Sequence, residues 1–155
     1  MTVRKGLALA VVVVAPVLAG CTQTSQSPSA DRPAWPQVGE FFDAHGPVAL
    51  PTRLPQGLAE AQPVTLDGQP AVTFAVPDEP LVTVCSGDLP RCRSALGTSR
   101  EVRSGRADGL AFVVALGGRE DPGAEPTLSA AGRSFWADVA LTTSRPSWAR
   151  AVDDH

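Results

Sequence analysis

Proline and glycine recur along the whole chain and limit it to short helices and strands. The 155 residues include 15 prolines and 14 glycines, and both residue types interrupt helices and mark turns. A chain of this length normally forms one domain. The pattern therefore excludes a helical bundle and favours a small domain in which many turns join short elements.

The N-terminus has the layout of a secretory signal. Arg4 and Lys5 precede an uncharged apolar run over residues 6–19, which is too short to span a bilayer comfortably. Leu18-Ala19-Gly20-Cys21 closes this run and resembles the lipobox of bacterial lipoprotein precursors. The resemblance implies that the Cys21 thiol receives a diacylglycerol and that a peptidase cuts before Cys21. The alternative is an ordinary secreted protein in which Cys21 falls near the cleavage site by accident.

A polar stretch behind the signal separates it from the folded part. Residues 22–34 hold Ser, Thr, Gln and Pro without apolar periodicity, a composition typical of a flexible tether. We therefore expect a protein that is lipid-anchored to the cell membrane on its extracytoplasmic side. The predicted segments are a lipoprotein signal peptide at 1–20, the lipidated cysteine and tether at 21–34, an extracytoplasmic domain at 35–150 and a frayed tail at 151–155.

The charge of the mature chain argues against one class of partner. Removal of Arg4 and Lys5 with the signal leaves 11 basic and 16 acidic residues, a net charge of −5 without any lysine. A mildly acidic chain of this kind is a poor candidate for nucleic-acid binding. We expect no nucleic-acid partner, and no motif predicts a cofactor.

Cys85 and Cys92 are the remaining cysteines. An even pair in an exported protein predicts a disulfide. A redox-active pair is the alternative, but thioredoxin-like enzymes use the shorter Cys-x-x-Cys spacing. A zinc site would need four ligands, and only His45 and His155 are available to complete it.

Apolar spacing and turn signals predict an α+β fold. Residues 36–45 and 127–141 repeat apolar side chains at helical intervals, with Thr127 as a candidate N-cap. Asp67-Gly68 predicts a tight hairpin, and residues 110–116, apolar on both faces, predict the central strand. We expect one small domain, with an antiparallel sheet of about five short strands and a helix near each end. The predicted strands are 47–55 at an edge, 64–66, 71–76, 81–85, 99–104 and 110–116, and a meander is the simplest order.

Two short motifs resemble known bacterial envelope proteins. Residues 51–57 (PTRLPQG) are similar to the Pro-x-x-Leu-Pro-x-Gly entry of several envelope domains. Phe135-Trp136 with Trp148 is similar to the ending of small actinobacterial lipoproteins, families without a known activity. The resemblance implies a location in the envelope and implies no chemistry.

One set of residues has the types that serine hydrolysis needs. Ser86, His45 and Asp88 supply a nucleophile, a base and an acid, but no Gly-x-Ser-x-Gly elbow surrounds the serine. His45 has a simpler interpretation as the last residue of a helix, where a positive charge is favourable. We prefer that interpretation and predict no catalytic residues.

Acidic residues form two clusters, Asp78-Glu79 and Glu120-Asp121 with Glu125. Neither has the spacing of a calcium loop. In a meander the strands that precede them run in opposite directions, so the clusters would lie at opposite edges of the sheet. We therefore predict no metal site.

Five arginines make residues 91–106 the one basic concentration in an acidic chain. They allow a docking patch for phospholipid headgroups, an anionic wall polymer or an acidic envelope protein. The alternative, which we favour, is pairing within the domain. In a meander Arg106 would lie beside Asp78 and Glu79. The arginines are Arg91, Arg93, Arg100, Arg103 and Arg106.

The sequence leaves one further ligand class open. Some apolar side chains of the predicted sheet and second helix would line either a cavity for a small apolar ligand or a packed core, and a packed core is the default. The leading hypothesis is a non-catalytic binding or accessory module of the cell envelope. The alternatives are a carrier or sensor of a small apolar ligand and, third, a hydrolase. The apolar residues are Phe74, Leu110, Phe112, Val114 and Trp136.

Overall fold

The computed structural model describes residues 35–117 and 127–150. The predicted signal peptide, lipidated cysteine, tether and frayed tail lie outside the described residues. Within the described ranges, no helix is both long and apolar enough to cross a bilayer.

The predicted α+β class is confirmed. Five strands form one antiparallel sheet in the order β2-β3-β4-β6-β5, and β1 pairs with β7 in a separate two-stranded sheet. In chain order the elements are α1 (Pro36–His45), β1 (Leu50–Pro51), β2 (Glu60–Leu66), β3 (Gln69–Ala75), β4 (Val82–Ser86), α2 (Leu89–Leu96), β5 (Arg100–Ala107), β6 (Leu110–Leu116), α3 (Ala130–Asp138), β7 (Leu141–Thr142) and a short 3-10 helix (Ser147–Ala149).

Two Asp-Gly pairs form the tight turns of the main sheet. Asp67 and Gly68 have φ of +48° and +79°, and Asp108 and Gly109 have φ of +48° and +87°. Two successive residues with positive φ match the twist of a two-residue hairpin, and Asp-Gly tolerates that conformation. The hairpin predicted at Asp67-Gly68 is therefore present, and a second one joins β5 to β6.

The meander is wrong, and so is the central position of residues 110–116. β4 occupies the middle of the five strands, and β6 lies between β4 and β5. Because β3 and β6 are both antiparallel to β4, they run parallel to each other. The C-terminal ends of β3 and β6 therefore lie at the same end of the sheet. The expected separation of the two acidic clusters assumed a meander and therefore loses its basis, while Glu120, Asp121 and Glu125 themselves lie outside the described residues.

Helix α2 is the reason for this order. β4 and β5 run parallel, and parallel strands need a crossover, which α2 supplies. The side chain of Asp88 caps the helix by accepting a hydrogen bond from Arg91 N at 2.9 Å, and Pro90 stands in the first turn. The sequence did not predict this helix, because its eight residues carry no long apolar stripe.

Helix α3 is shorter than the predicted 127–141. Its N-cap is Ser129, whose Oγ accepts a hydrogen bond from Gly132 N at 3.0 Å. At the other end, Leu141 and Thr142 pair with Leu50 and Pro51 in the small sheet. That pairing requires extended backbone, so the helix ends before it. Helix α1 has the predicted bounds.

The main sheet is covered on both faces. On the face that we call the α3 face, Val72, Phe74, Val84, Phe112 and Val114 pack against α1, α3 and the 3-10 helix in the larger core. On the opposite face, the α2 face, Ala71, Cys85, Val113 and Ala115 pack against α2. The Phe74 and Trp136 rings lie 5.2 Å apart inside the larger core. Of the five side chains proposed to line a cavity or a core, Phe74, Phe112, Val114 and Trp136 belong to this packed core.

Candidate functional site

The predicted disulfide is present. Cys85 of β4 and Cys92 of α2 are bonded, with their Cα atoms 5.7 Å apart. Both residues are fully buried. The bond therefore fixes α2 to the α2 face of the sheet. A buried disulfide of this kind is typical of a structural bond.

The structure does not bring Ser86, His45 and Asp88 together as a catalytic set. The Ser86 side chain is buried, and its Oγ accepts a hydrogen bond from Ala49 N at 2.8 Å. The Asp88 carboxylate caps α2. The exposed His45 ring stacks on Phe41 at 4.0 Å, and its Nδ1 lies 3.1 Å from Phe41 O. Each of the three side chains thus has a local structural contact.

The acidic residues also have local roles where the structure describes them. Glu79 accepts a hydrogen bond from Ser129 Oγ and so lies over the N-terminus of α3, where a negative charge is favourable. Glu120, Asp121 and Glu125 lie outside the described residues. Within residues 35–117 and 127–150, no three His, Cys, Asp or Glu residues are placed to hold a metal ion.

Arg93 forms the ion pair that links α2 to β5. Its Nε lies 2.8 Å and its Nη2 3.1 Å from the Glu101 carboxylate, and Nη2 also donates to Ser104 Oγ at 3.1 Å. The side-chain hydrogen bonds of the Glu101 carboxylate with Arg93 and, to a smaller extent, with Ser104 lower the pKa of Glu101 from 4.5 to about 2.

Arg103 and Arg106 bond to backbone carbonyls. Arg103 donates to Ala137 O at 3.0 Å and to Val139 O, so it caps the C-terminus of α3. Partial burial lowers the pKa of Arg103. Arg106 Nη1 donates to Gly109 O at 2.8 Å. Because β5 and β3 run in opposite directions, Arg106, near the C-terminal end of β5, and the C-terminal end of β3 lie at opposite ends of the sheet. The expected placement of Arg106 beside Asp78 and Glu79 is therefore wrong.

The five arginines do not form one surface. Residues opposite each other on neighbouring strands share a face. Arg106, opposite Ala111, therefore lies on the α2 face, and Arg103, opposite Val114, lies on the α3 face. Arg91 and Arg100 are exposed and their guanidinium groups contact no described partner. Docking through these residues stays a prediction.

A groove that the sequence did not predict opens at the start of the domain. It has a volume of about 570 Å³. Its apolar wall comes from Trp35 and Trp148 on one side and from Leu54 and Leu58 on the other. Trp148 Nε1 donates to Pro51 O at 2.8 Å, and Trp35 N donates to Trp148 O at 3.1 Å. The first bond fixes the Trp148 indole, and the second joins the backbones of the two tryptophans.

The polar lining of the groove contains one charge. Arg53, Gln56 and Ser147 line it with Thr52, and it has no acidic lining residue among those described. Arg53 lies between this groove and a second one of about 480 Å³, where its guanidinium lies 4.8 Å from the centre of the Phe135 ring. The groove joins residues far apart in sequence. The sequence signal near it is the proline motif at 51–57, which implies a location in the envelope and no chemistry.

Comparison with known proteins found no matching family model, no matching curated protein and no matching solved structure. Function is therefore inferred from the residues and geometry of this chain.

Proposed function

We propose that this protein is a lipid-anchored extracytoplasmic lipoprotein of the bacterial envelope, and that its domain is a non-catalytic binding or accessory module. The groove between Trp35, Trp148 and the 52–58 loop is the observation that carries the binding role. The lipobox-like ending at Cys21 and the polar tether support the anchor and the location.

The size and lining of the groove support ligand binding. Small-molecule sites commonly enclose about 300 to 1,000 Å³ and combine apolar walls with a few polar groups, and this groove, at about 570 Å³, has both features. The exposed Arg53, Gln56 and Ser147 supply hydrogen-bonding groups at its rim. Since Arg53 is the single charged residue in the described lining, the groove favours a neutral or anionic ligand over a cationic one.

The contacts of the candidate hydrolase residues support a non-catalytic role. A serine nucleophile needs a free hydroxyl beside a base, whereas Ser86 Oγ is buried and accepts a hydrogen bond from Ala49 N. The His45 ring is stacked on its own helix.

A carrier or sensor of a small apolar ligand is the second candidate. The wall of Trp35, Leu54, Leu58 and Trp148 favours it, because such side chains contact hydrocarbon or ring groups well. A ligand of this kind would lie in the groove, since the side chains between the sheet and α3 are packed together.

Native mass spectrometry of the exported mature chain tests both candidates. Ser147 is exposed at the groove, so Ser147→Trp is expected to fill the groove without entering the core. Ser94→Trp, on the exposed side of α2, is the matched control. A bound mass in the wild type and in Ser94→Trp that is absent from Ser147→Trp would support ligand binding in the groove. A bound mass retained by Ser147→Trp would contradict it. An unliganded wild type would contradict the carrier and leave a protein or wall-polymer partner to be sought.

A further inference from the structure

Strand β5 forms one outer edge of the main sheet and is paired on one side only. It pairs with β6 over Arg100–Ala107. Within residues 35–117 and 127–150, no backbone group bonds to its outer side. A row of unpaired N–H and C=O groups is a template for another extended chain.

The strand at the opposite edge, β2, is less suited to pairing with another extended chain. Pro63 has no backbone N–H and so removes one donor from β2. The Gln37 side chain of α1 donates to Ala61 O at 3.2 Å and so occupies one acceptor. β5 is one residue longer and contains no proline. Its irregular pairing is confined to the step between Glu101 and Arg103, so the stretch from Arg103 to Ala107 is regular.

The charges on β5 that have no acidic partner in the described part of the chain are positive. Glu101, its single acidic residue, is already paired with Arg93 of α2. Among the described residues, Arg103 and Arg106 bond only to neutral carbonyls, and the Asp138 carboxylate acts on Arg103 from beyond ion-pair distance. Arg100 is exposed and has no described partner. This charge lies in a protein that is acidic overall.

Both faces of the strand carry this charge. Arg106 lies on the α2 face and Arg103 on the α3 face, as their partners on β6 indicate. A strand added beside β5 would place its side chains next to arginines on either face, and opposite charges across strands are favourable. A second copy of β5 would bring further arginines, and its single acidic residue is already paired with Arg93. The occupant is therefore a chain of opposite charge.

We propose that the outer edge of β5 binds an extended acidic segment of a partner protein, which adds to the sheet as a sixth strand. The proposal gives the binding module a partner class, so it depends on the proposed binding role. It concerns a surface outside the lining of the groove, so peptide binding at β5 and ligand binding in the groove are measured separately. In the opposing interpretation, the arginines and the irregular step serve only to prevent edge pairing.

A defined peptide tests the proposal on the unlipidated mature chain carrying Cys21→Ser. The probe is a capped eight-residue peptide that alternates glutamate with threonine or valine. Two matched peptides serve as controls: one has glutamine in place of glutamate, and one keeps all side chains but has alternate amides N-methylated. N-methylation removes donors that a strand needs and leaves the charge unchanged. The measurements are titration at low salt and amide hydrogen exchange.

We expect the acidic peptide to bind and to slow hydrogen exchange at alternate amides of β5. Both control peptides should bind at least about tenfold more weakly. Arg100→Gln with Arg106→Gln should weaken binding by about threefold to tenfold. Arg91→Gln, an exposed arginine on α2, should leave binding unchanged.

Three results would overturn the proposal. They are absence of binding at millimolar peptide, equal binding of the N-methylated peptide, and protection confined to amides outside β5. The peptide comparison does not depend on the folding of any variant. Failure here with ligand binding in the groove intact would leave the proposed binding role standing.

Discussion

At the scale of single residues, the contribution of the Arg93–Glu101 ion pair to stability depends on pH. The pKa of Glu101 is lowered from 4.5 to about 2, so the folded state holds the ionised carboxylate more strongly than the unfolded chain does. Its contribution to stability is therefore present above pH 4.5 and is lost as pH falls towards 2. Because the pair is exposed, we expect a small effect.

Glu101→Gln tests this contribution by chemical denaturation at pH 7 and at pH 2. The variant should be less stable than the wild type at pH 7, and the two should converge at pH 2. Glu40→Gln on α1 removes an equal charge outside any described ion pair and serves as the control. A Glu101→Gln deficit that persists undiminished at pH 2 would contradict the assignment.

Gly39 marks a close approach of α1 to the 3-10 helix. A Cβ at this position would collide with Ala149 O of the 3-10 helix. Gly39→Ala would gain about 1 kcal/mol of helix propensity, but the overlap with a backbone atom costs about 1 to 3 kcal/mol. We expect a net loss of up to about 2 kcal/mol in the free energy of unfolding, measured in urea. Glu40→Ala, on the exposed side of the same helix, should stay within about 0.5 kcal/mol, and a stabilised Gly39→Ala would refute the close approach.

At the scale of elements, α2 depends on the disulfide for its attachment. The core beneath α2 is small, with Ala71, Val113 and Ala115 on the sheet. Cys85→Ala with Cys92→Ala should lower the free energy of unfolding by about 2 to 3 kcal/mol on the chain-entropy model. Amide exchange should rise first in α2. Reduction of the wild type should reproduce the loss, and uniform acceleration over the whole sheet would contradict a local role.

Local signals predicted the elements, while long-range contacts decided their arrangement. Pro36 and the apolar spacing behind it predicted α1, and Asp67-Gly68 predicted its hairpin, because both depend on neighbouring residues. Helix α2 escaped detection because Pro90 and two arginines interrupt a short segment. Without α2, the crossover from β4 to β5 and the resulting strand order could not be inferred.

The groove also could not be predicted from the sequence, because it depends on contacts between residues far apart in the chain. Trp35 and Trp148 meet across almost the whole domain, and Trp148 Nε1 then bonds to Pro51 O. In the sequence alone, two tryptophans this far apart could equally belong to a buried core or to the wall of a groove. The opposite faces taken by Arg103 and Arg106 likewise follow from their register with β6, which no local pattern gives.

At the scale of the whole molecule, the groove includes Trp35, the residue that directly follows the proposed tether in sequence. Trp35 lines the groove and is fourteen residues from Cys21. An extended chain of that length reaches about 50 Å. A lipid on Cys21 would thus keep the groove within that distance of the membrane surface, so ligands or partners would be met close to the bilayer.

The anchor itself is tested by the fate of Cys21. Two acyl chains hold a protein stably on a bilayer, because each buried methylene contributes about 0.8 kcal/mol. We therefore expect the wild type in the membrane fraction, released only by detergent, and Cys21→Ala unprocessed and without lipid on mass analysis. Cys85→Ala with Cys92→Ala is the control, because it removes the other two cysteines and should leave the anchor intact. A Cys21→Ala protein that is still processed and still extracted only by detergent would show that another feature holds the chain to the membrane.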